Sequence, residues 1–231
     1  MPTRHSKRST AIMLIVGLLL IATATGLLIH HFKAQPASSE TVATDHGTKT
    51  APEPEHTFTN AGCPGTSQEP DQNLDKDEWS IPDIGQSAQF YTDSHGTKPV
   101  LPDAPDGIRY GPSMPVGSTQ GATVLAGHVD YAPGDLSQTG GELSPWGHLH
   151  QTKQCIPITI SDDQGQPHSY VITDISTADQ DSLPAKELFR STGDPAVYLI
   201  TCSGPSTQDA GGTFQFNYKY NLIVKAQPVT S

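Results

Sequence analysis

Three cysteines and ten histidines are the side chains of this 231-residue chain best suited to nucleophilic or metal chemistry. Cys202 closes an apolar run, Val197-Tyr198-Leu199-Ile200-Thr201-Cys202, and a turn, Ser203-Gly204-Pro205, follows it. A strand end entering a loop holds a reactive group rigidly while leaving it reachable. His128 has the matching place, following Val124-Leu125-Ala126-Gly127 where the run gives way to Asp130, Tyr131 and Pro133-Gly134. A thiol near its free pKa of about 8.5 is mostly protonated, so a nucleophilic cysteine needs a base or cation beside it. Histidine has the suitable proton affinity. His148 and His150 stand at i, i+2, a spacing that suits a metal pair on a strand. No carboxylate or thiolate cluster accompanies them, and they read, with His95 and His168, as ordinary histidines.

The elements that must hold such residues read as short strands. Trp79-Ser80-Ile81-Pro82 opens the series, with Ala88–Thr92 and Pro99–Leu101 as weaker candidates. Ala122–Val129 is a strong apolar run, and Glu142–His150 reads as a short helix or turn. Ile156–Ser161 and His168–Asp174 flank Asp162-Asp163-Gln164-Gly165, a hairpin signal. Pro184–Arg190 reads as one or two helical turns, with Pro184 suited to the first turn. Ala196–Cys202 is another buried strand. From Phe214 to Lys225 aromatic and aliphatic residues alternate with polar ones, so one face packs inward and the other meets solvent or a groove. About eight strands with little helix predict a mainly β fold, a closed or nearly closed barrel with short helices.

Ahead of the strands, Arg4, Lys7 and Arg8 precede Ala11–Ile29, 19 residues without a charge. At about 1.5 Å per residue such a helix nearly spans a hydrocarbon core of about 30 Å. The cations predict a cytoplasmic N-terminus (1–10), a single-pass anchor (11–29) and an extracellular remainder. Ala22-Thr23-Ala24 leaves a cleaved signal peptide as the alternative; either way the domain is exported. Residues 30–74 are rich in Pro, Ser, Thr, Glu and Gly and predict a disordered spacer, with the domain proper at 75–231. The net charge of −11 argues against a nucleic-acid partner, because phosphate binding needs a basic face. Exported cysteines usually pair, and three leave at least one over. Cys202 is the natural unpaired one. Whether Cys63 and Cys155 join is a matter of geometry that sequence leaves open.

Tyr198-Leu199-Ile200-Thr201-Cys202 resembles the sortase signature Thr-Leu-X-Thr-Cys, departing at Tyr198. Leu125-Ala126-Gly127-His128-Val129-Asp130 resembles the histidine segment of the class F branch. So do Thr201-Cys202-Ser203-Gly204 and the late run Asn221 to Ala226. The resemblance covers about residues 75–228. The branch typically carries Tyr-Arg-Asp-Asn on its last strand, where this chain has Tyr218-Lys219-Tyr220-Asn221. Lys219 therefore stands where the family's substrate-facing arginine is expected, keeping the charge but losing the planar fork. After the apolar run only Arg109 and Arg190 exist, and Arg190, in the segment between Asp174 and Ala196 that corresponds to the family's substrate-facing loop, is a weak alternative.

The resemblance implies an extracytoplasmic cysteine transpeptidase of a Gram-positive-type envelope. Cys202 would cleave an LPXTG-like sorting signal at Thr-Gly through a thioester. His128 would act as acid and base, Lys219 would place the substrate, and a cell-wall precursor amine would accept the protein. Asp130 could orient the imidazole. The partners so implied are secreted proteins bearing sorting signals, the acceptor amine and the membrane. No cofactor is called for, and no calcium loop is recognisable. The Lys219 departure keeps a second reading open, a sortase-like module that binds sorting signals with weak or no turnover. Papain-like proteases have cysteine before histidine, the reverse of this order. L,D-transpeptidases need a Ser-His-Gly-Cys-like motif that is absent. No Asp-Pro-aromatic lid, usual in pilin-polymerising sortases, precedes the domain.

Overall fold

The computed structural model describes residues 50–55, 63, 70–96, 99–131, 143–207 and 217–229. The expected anchor at 11–29 lies outside the described residues, among which no helix is long and apolar enough to cross a membrane.

Among the described residues nine strands follow in chain order: β1 (Thr50–Ala51), β2 (Glu78–Ile81), β3 (Gln86–Thr92), β4 (Gly107–Arg109), β5 (Ala122–Gly127), β6 (Pro157–Ser161), β7 (Pro167–Asp179), β8 (Ala196–Thr207) and β9 (Asn217–Pro228). Short 3-10 turns lie at Pro82–Ile84, Gly147–Gln151 and Gln180–Ser182, and one α-helical turn, α1, at Ala185–Leu188. The strand order β8-β5-β4-β3-β2-β6-β7-β9 closes on itself through β8–β9 pairing, so eight strands make a barrel and β1 is added outside it on β8. Closure leaves none of the eight with a bare edge along its whole length.

Alternation along the strands sorts their residues between two faces. Leu125 of β5, Val197 and Leu199 of β8, and Leu222, Val224 and Ala226 of β9 fill the interior with Trp79, Phe90 and Trp146. Their neighbours Val124, Tyr198, Ile200 and Ile223 form a second cluster, with Leu188 of α1 and partly buried Leu183, Ala178 and Tyr110 packed on it. Complete burial of a side chain of this size is worth about 1.5–3 kcal/mol relative to exposure. β5, β8 and β9 are apolar on both faces because α1 covers the outer one. Lys225 Nζ and Tyr198 Oη fasten that cover, both bonding Glu187 Oε1 at 2.9 and 2.8 Å.

Three expectations differ from the structure. Pro99–Leu101 is irregular, and the strand in that region is β4, only three residues long, paired parallel to β3 and antiparallel to β5. β7 and β8 run on past their apolar stretches to Asp179 and Thr207, because β9 offers both of them a ladder. Part of the stretch expected as a disordered spacer is folded on the barrel. Thr50 and Ala51 pair with Pro205 and Gly204, Ser203 Oγ donates to Pro52 O at 2.7 Å, and Glu55 N donates to His150 O at 3.0 Å. Ala51 is buried, and the β8 edge beyond the end of β5 supplies backbone partners that composition cannot register. Cys63 and Cys155 form a disulfide with Cα atoms 5.2 Å apart.

Candidate active site

β5 and β8 are parallel neighbours with a constant register from Ala122↔Ala196 to Ala126↔Ile200. One step beyond the ladder, Thr201 Oγ1 donates to Gly127 O at 2.9 Å across the same offset of 74 residues. His128 and Cys202 are the next pair at that offset. Both continue the outer-face row of Val124, Ala126, Tyr198 and Ile200. The register thus brings the two residues level, His128 just past the end of β5 and Cys202 midway along the longer β8.

The histidine backbone is held from three directions. Gly127 precedes it because the Trp146 indole lies flat on this backbone, where a Cβ would overlap the ring. Trp146 is itself fixed by Nε1–H donating to Pro105 O at 3.0 Å. Ser144 Oγ donates to His128 O, and Ser144 N donates to Val129 O at 3.1 Å. Sequence reading missed Ser144 and Trp146, since nothing local marks either as a support for a residue sixteen or more positions earlier.

Cys202 is the free cysteine among the described residues and is partly buried. Gln180 Nε2 lies 4.0 Å from its sulfur. Burial, with the Asp130 carboxylate beside it, pushes the thiol up to about 11. Burial depresses the proton affinity of His128, and Asp130 and Asp103 offset part of that. Both shifts favour the neutral forms of thiol and imidazole. Asp130 Oδ2 accepts a hydrogen bond from Tyr218 Oη at 2.7 Å. Tyr218 and Val129 belong to a small cluster with Ala51, against which Cys202 packs.

Lys219 stands apart from this group in contacts but shares its face. Cys202 pairs with Asn221 across β8–β9, and Lys219 follows two residues along β9 from Asn221. It is exposed, with Nζ 5.0 Å from the Tyr220 ring centroid. The Tyr220 hydroxyl, and to a lesser degree Asp179, raise its proton affinity. Gly204, at φ +77, leaves the room that the Tyr220 ring takes up. Both arginines bond backbone carbonyls. Arg109 Nη1 donates to Ser113 O at 2.9 Å on β4, and Arg190 Nη1 donates to Thr192 O at 3.0 Å beyond α1.

Three other described histidines have structural partners. His95 Nδ1 is 2.7 Å from Asp93 Oδ1 and His168 Nε2 is 3.0 Å from Asp162 Oδ2. His150 is buried, its Nδ1 2.6 Å from Gly147 O and its Nε2 3.2 Å from Glu55 Oε1. Among the described residues no group of three or more His, Cys, Asp or Glu is placed to hold a metal ion. A cleft of about 430 Å³ lined by Gly117, His168, Tyr170 and Pro228 sits where β5 and β8 begin, at the end remote from Cys202.

Residues 80–229 match the family model of the sortase domain, and the chain belongs to the sortase family, a family of cysteine transpeptidases. Among solved structures it resembles sortase A from Corynebacterium diphtheriae at 23% identity, covering 67% of this chain and 60% of that one, with a TM-score of 0.43. It also resembles sortase C-1 from Actinomyces oris at 23% identity, covering 69% of this chain and 77% of that one, with a TM-score of 0.43. A pilus-related sortase C of Group B Streptococcus matches at 18% identity over 66% of each chain, with a TM-score of 0.43. This chain therefore spans less than two thirds of the Corynebacterium and Streptococcus chains. No curated protein matches it in sequence.

Proposed function

We propose that this protein is a cysteine transpeptidase that cleaves an LPXTG-like sorting signal between Thr and Gly and passes the acyl group to a cell-wall amine. The observation that carries the reading is the β5–β8 register, which sets His128 and Cys202 level on one face. Cys202 Sγ attacks the threonine carbonyl, and the thiol proton passes to His128. The C–N bond breaks, His128 returns the proton to the departing amine, and a thioester remains. The incoming amine gives its proton to His128, attacks the thioester, and releases the thiol. Lys219 serves as the cation near the substrate, as its position on the Cys202 face of β9 allows. The 11–29 segment anchors the enzyme with its domain outside the membrane, and the histidine and cysteine motifs put it nearest the class F branch.

A second reading has support of its own. With the thiol pushed up to about 11, thiolate is roughly one molecule in three thousand near pH 7.5. Lys219, moreover, lies over Tyr220 rather than against Cys202. Both observations favour a module that binds sorting signals with slow turnover. Incubation with a sorting-signal peptide separates the two, with intact-mass measurement of the chain. An adduct equal to the acylated fragment, absent in Cys202→Ala, supports the enzyme; peptide binding without any adduct supports the module.

A further inference from the structure

We propose that Tyr218 and Asp130 act together as positioning residues, the phenol fixing the Asp130 carboxylate beside His128 as counter-ion for its protonated form. This rests on the transpeptidase reading, in which His128 carries a proton between thiol and amine.

Tyr218 is buried near the start of β9, and its Oη donates to Asp130 Oδ2 at 2.7 Å. Its ring is wedged with Val129 and Ala51 in the cluster that Cys202 also touches. A buried phenol donating to a carboxylate makes a short, directed bond, which restricts the rotamers of the acid. Asp130 is held at its backbone as well, through a bridge to Leu143, the residue before Ser144. Ser144 in turn bonds the His128 carbonyl oxygen. Histidine and carboxylate thus sit on one short segment pinned at both ends, and Tyr218 reaches that segment from a third strand.

The charged groups that act on His128 are Asp130 on its own segment and Asp103 from the β3–β4 connection, and Cys202 from β8 and Tyr218 from β9 lie around Asp130 in turn. Both carboxylates raise the proton affinity of His128 against the effect of burial. Asp130 also raises that of the Cys202 thiol. A carboxylate here stabilises imidazolium and disfavours a free thiolate, so it helps once the proton has moved and keeps the sulfur protonated beforehand. The effect depends on where the charge sits, which is the function assigned to Tyr218.

The test is a histidine titration by NMR on the full chain labelled at histidine Cε1, the His128 signal identified by its loss in His128→Gln. Asp130→Asn keeps an acceptor for the phenol, and so the local packing, while removing the charge. It is expected to lower the His128 pKa. Tyr218→Phe is expected to lower it less, and to leave it unmoved when Asp130→Asn is already present. Turnover of a sorting-signal peptide falls about 10–100-fold in kcat for Asp130→Asn and about 3–10-fold for Tyr218→Phe, with KM nearly unchanged. Identical titration of His128 in the wild type and Asp130→Asn overturns the proposal. So does a Tyr218→Phe shift of equal size with and without Asp130→Asn. A wild-type chain that forms no thioester overturns the transpeptidase reading instead, and the titration, which needs no turnover, keeps the two failures apart.

Discussion

Cys202 and the Cys63–Cys155 pair lie in the same domain and have opposite fates. Cys155 sits in a turn ahead of β6 with φ +70, a left-handed conformation that costs an ordinary residue about 1–2 kcal/mol, and its N–H bonds Ile172 O at 2.8 Å. There it meets Cys63, 92 residues earlier, and the two sulfurs are joined. Cys202 is held by the β9 ladder through Asn221, two residues past the end of the β5 ladder, with the Asp130 carboxylate and the Gln180 amide nearby and no disulfide partner. The difference shows that the fate of a sulfur follows from its neighbours: one pair closes a loop, while the remaining thiol is left chemically available and only partly buried.

Removing His128 should make the largest break in this contrast. His128→Ala is expected to cut peptide turnover on the order of 10²–10⁴-fold, measured by single-turnover thioester formation, with the melting temperature little changed. Loss of less than tenfold would mean that the level placement of the two residues has no chemical use. The pH dependence sharpens the same point. The thiol lies at about 11, so alkylation of Cys202 by iodoacetamide should keep rising with pH well past 9 and approach its plateau near 11. Because protonation of His128 sets in only below its ordinary pKa, the acid limb of turnover should lie below pH 6.5. An alkylation plateau near pH 8 would contradict the buried, carboxylate-flanked thiol.

The disulfide should matter to stability instead. Cys63→Ser with Cys155→Ser should cost about 2–4 kcal/mol in chemical denaturation and leave turnover within a few-fold. Loss of activity with no loss of stability would reverse the roles of the two sulfur regions. The smallest effects concern two lysines on one face of β9. Lys225 bonds Glu187 and lies over Tyr198, so it ties α1 to the barrel. Lys219→Ala should lower kcat/KM roughly tenfold and Lys219→Arg should raise it. Lys225→Ala should loosen the α1 segment, at a cost of about 1 kcal/mol or less for a partly exposed pair. Equal loss from both alanine variants would deny Lys219 a distinct role.

Much of the barrel was legible because strand alternation is a local signal. β5, β6, β8 and the final strand all appear in sequence as apolar or alternating runs, and Pro184 marks the start of α1. β4 was not legible: three residues, Gly107–Arg109, carry no period, and they become a strand only because β3 and β5 flank them. Thr50–Ala51 is equally silent, its pairing set by the bare β8 edge beside Gly204 and Pro205. The supports of the His128 segment were hidden for the same reason. Ser144 and Trp146 come from a later turn, and Tyr218 reaches Asp130 from 88 residues away.

What the amino-acid order alone determined is local: which residues alternate toward a core, which chemical groups end apolar runs, and where glycine and proline break them. The meeting of those run ends was decided by tertiary structure. Period-two alternation assigns a face to each side chain, but it says nothing about register between strands more than seventy residues apart. That register follows from barrel closure and from contacts such as Trp146 on Gly127 and Thr201 on the Gly127 carbonyl, which exist only once the intervening strands have packed.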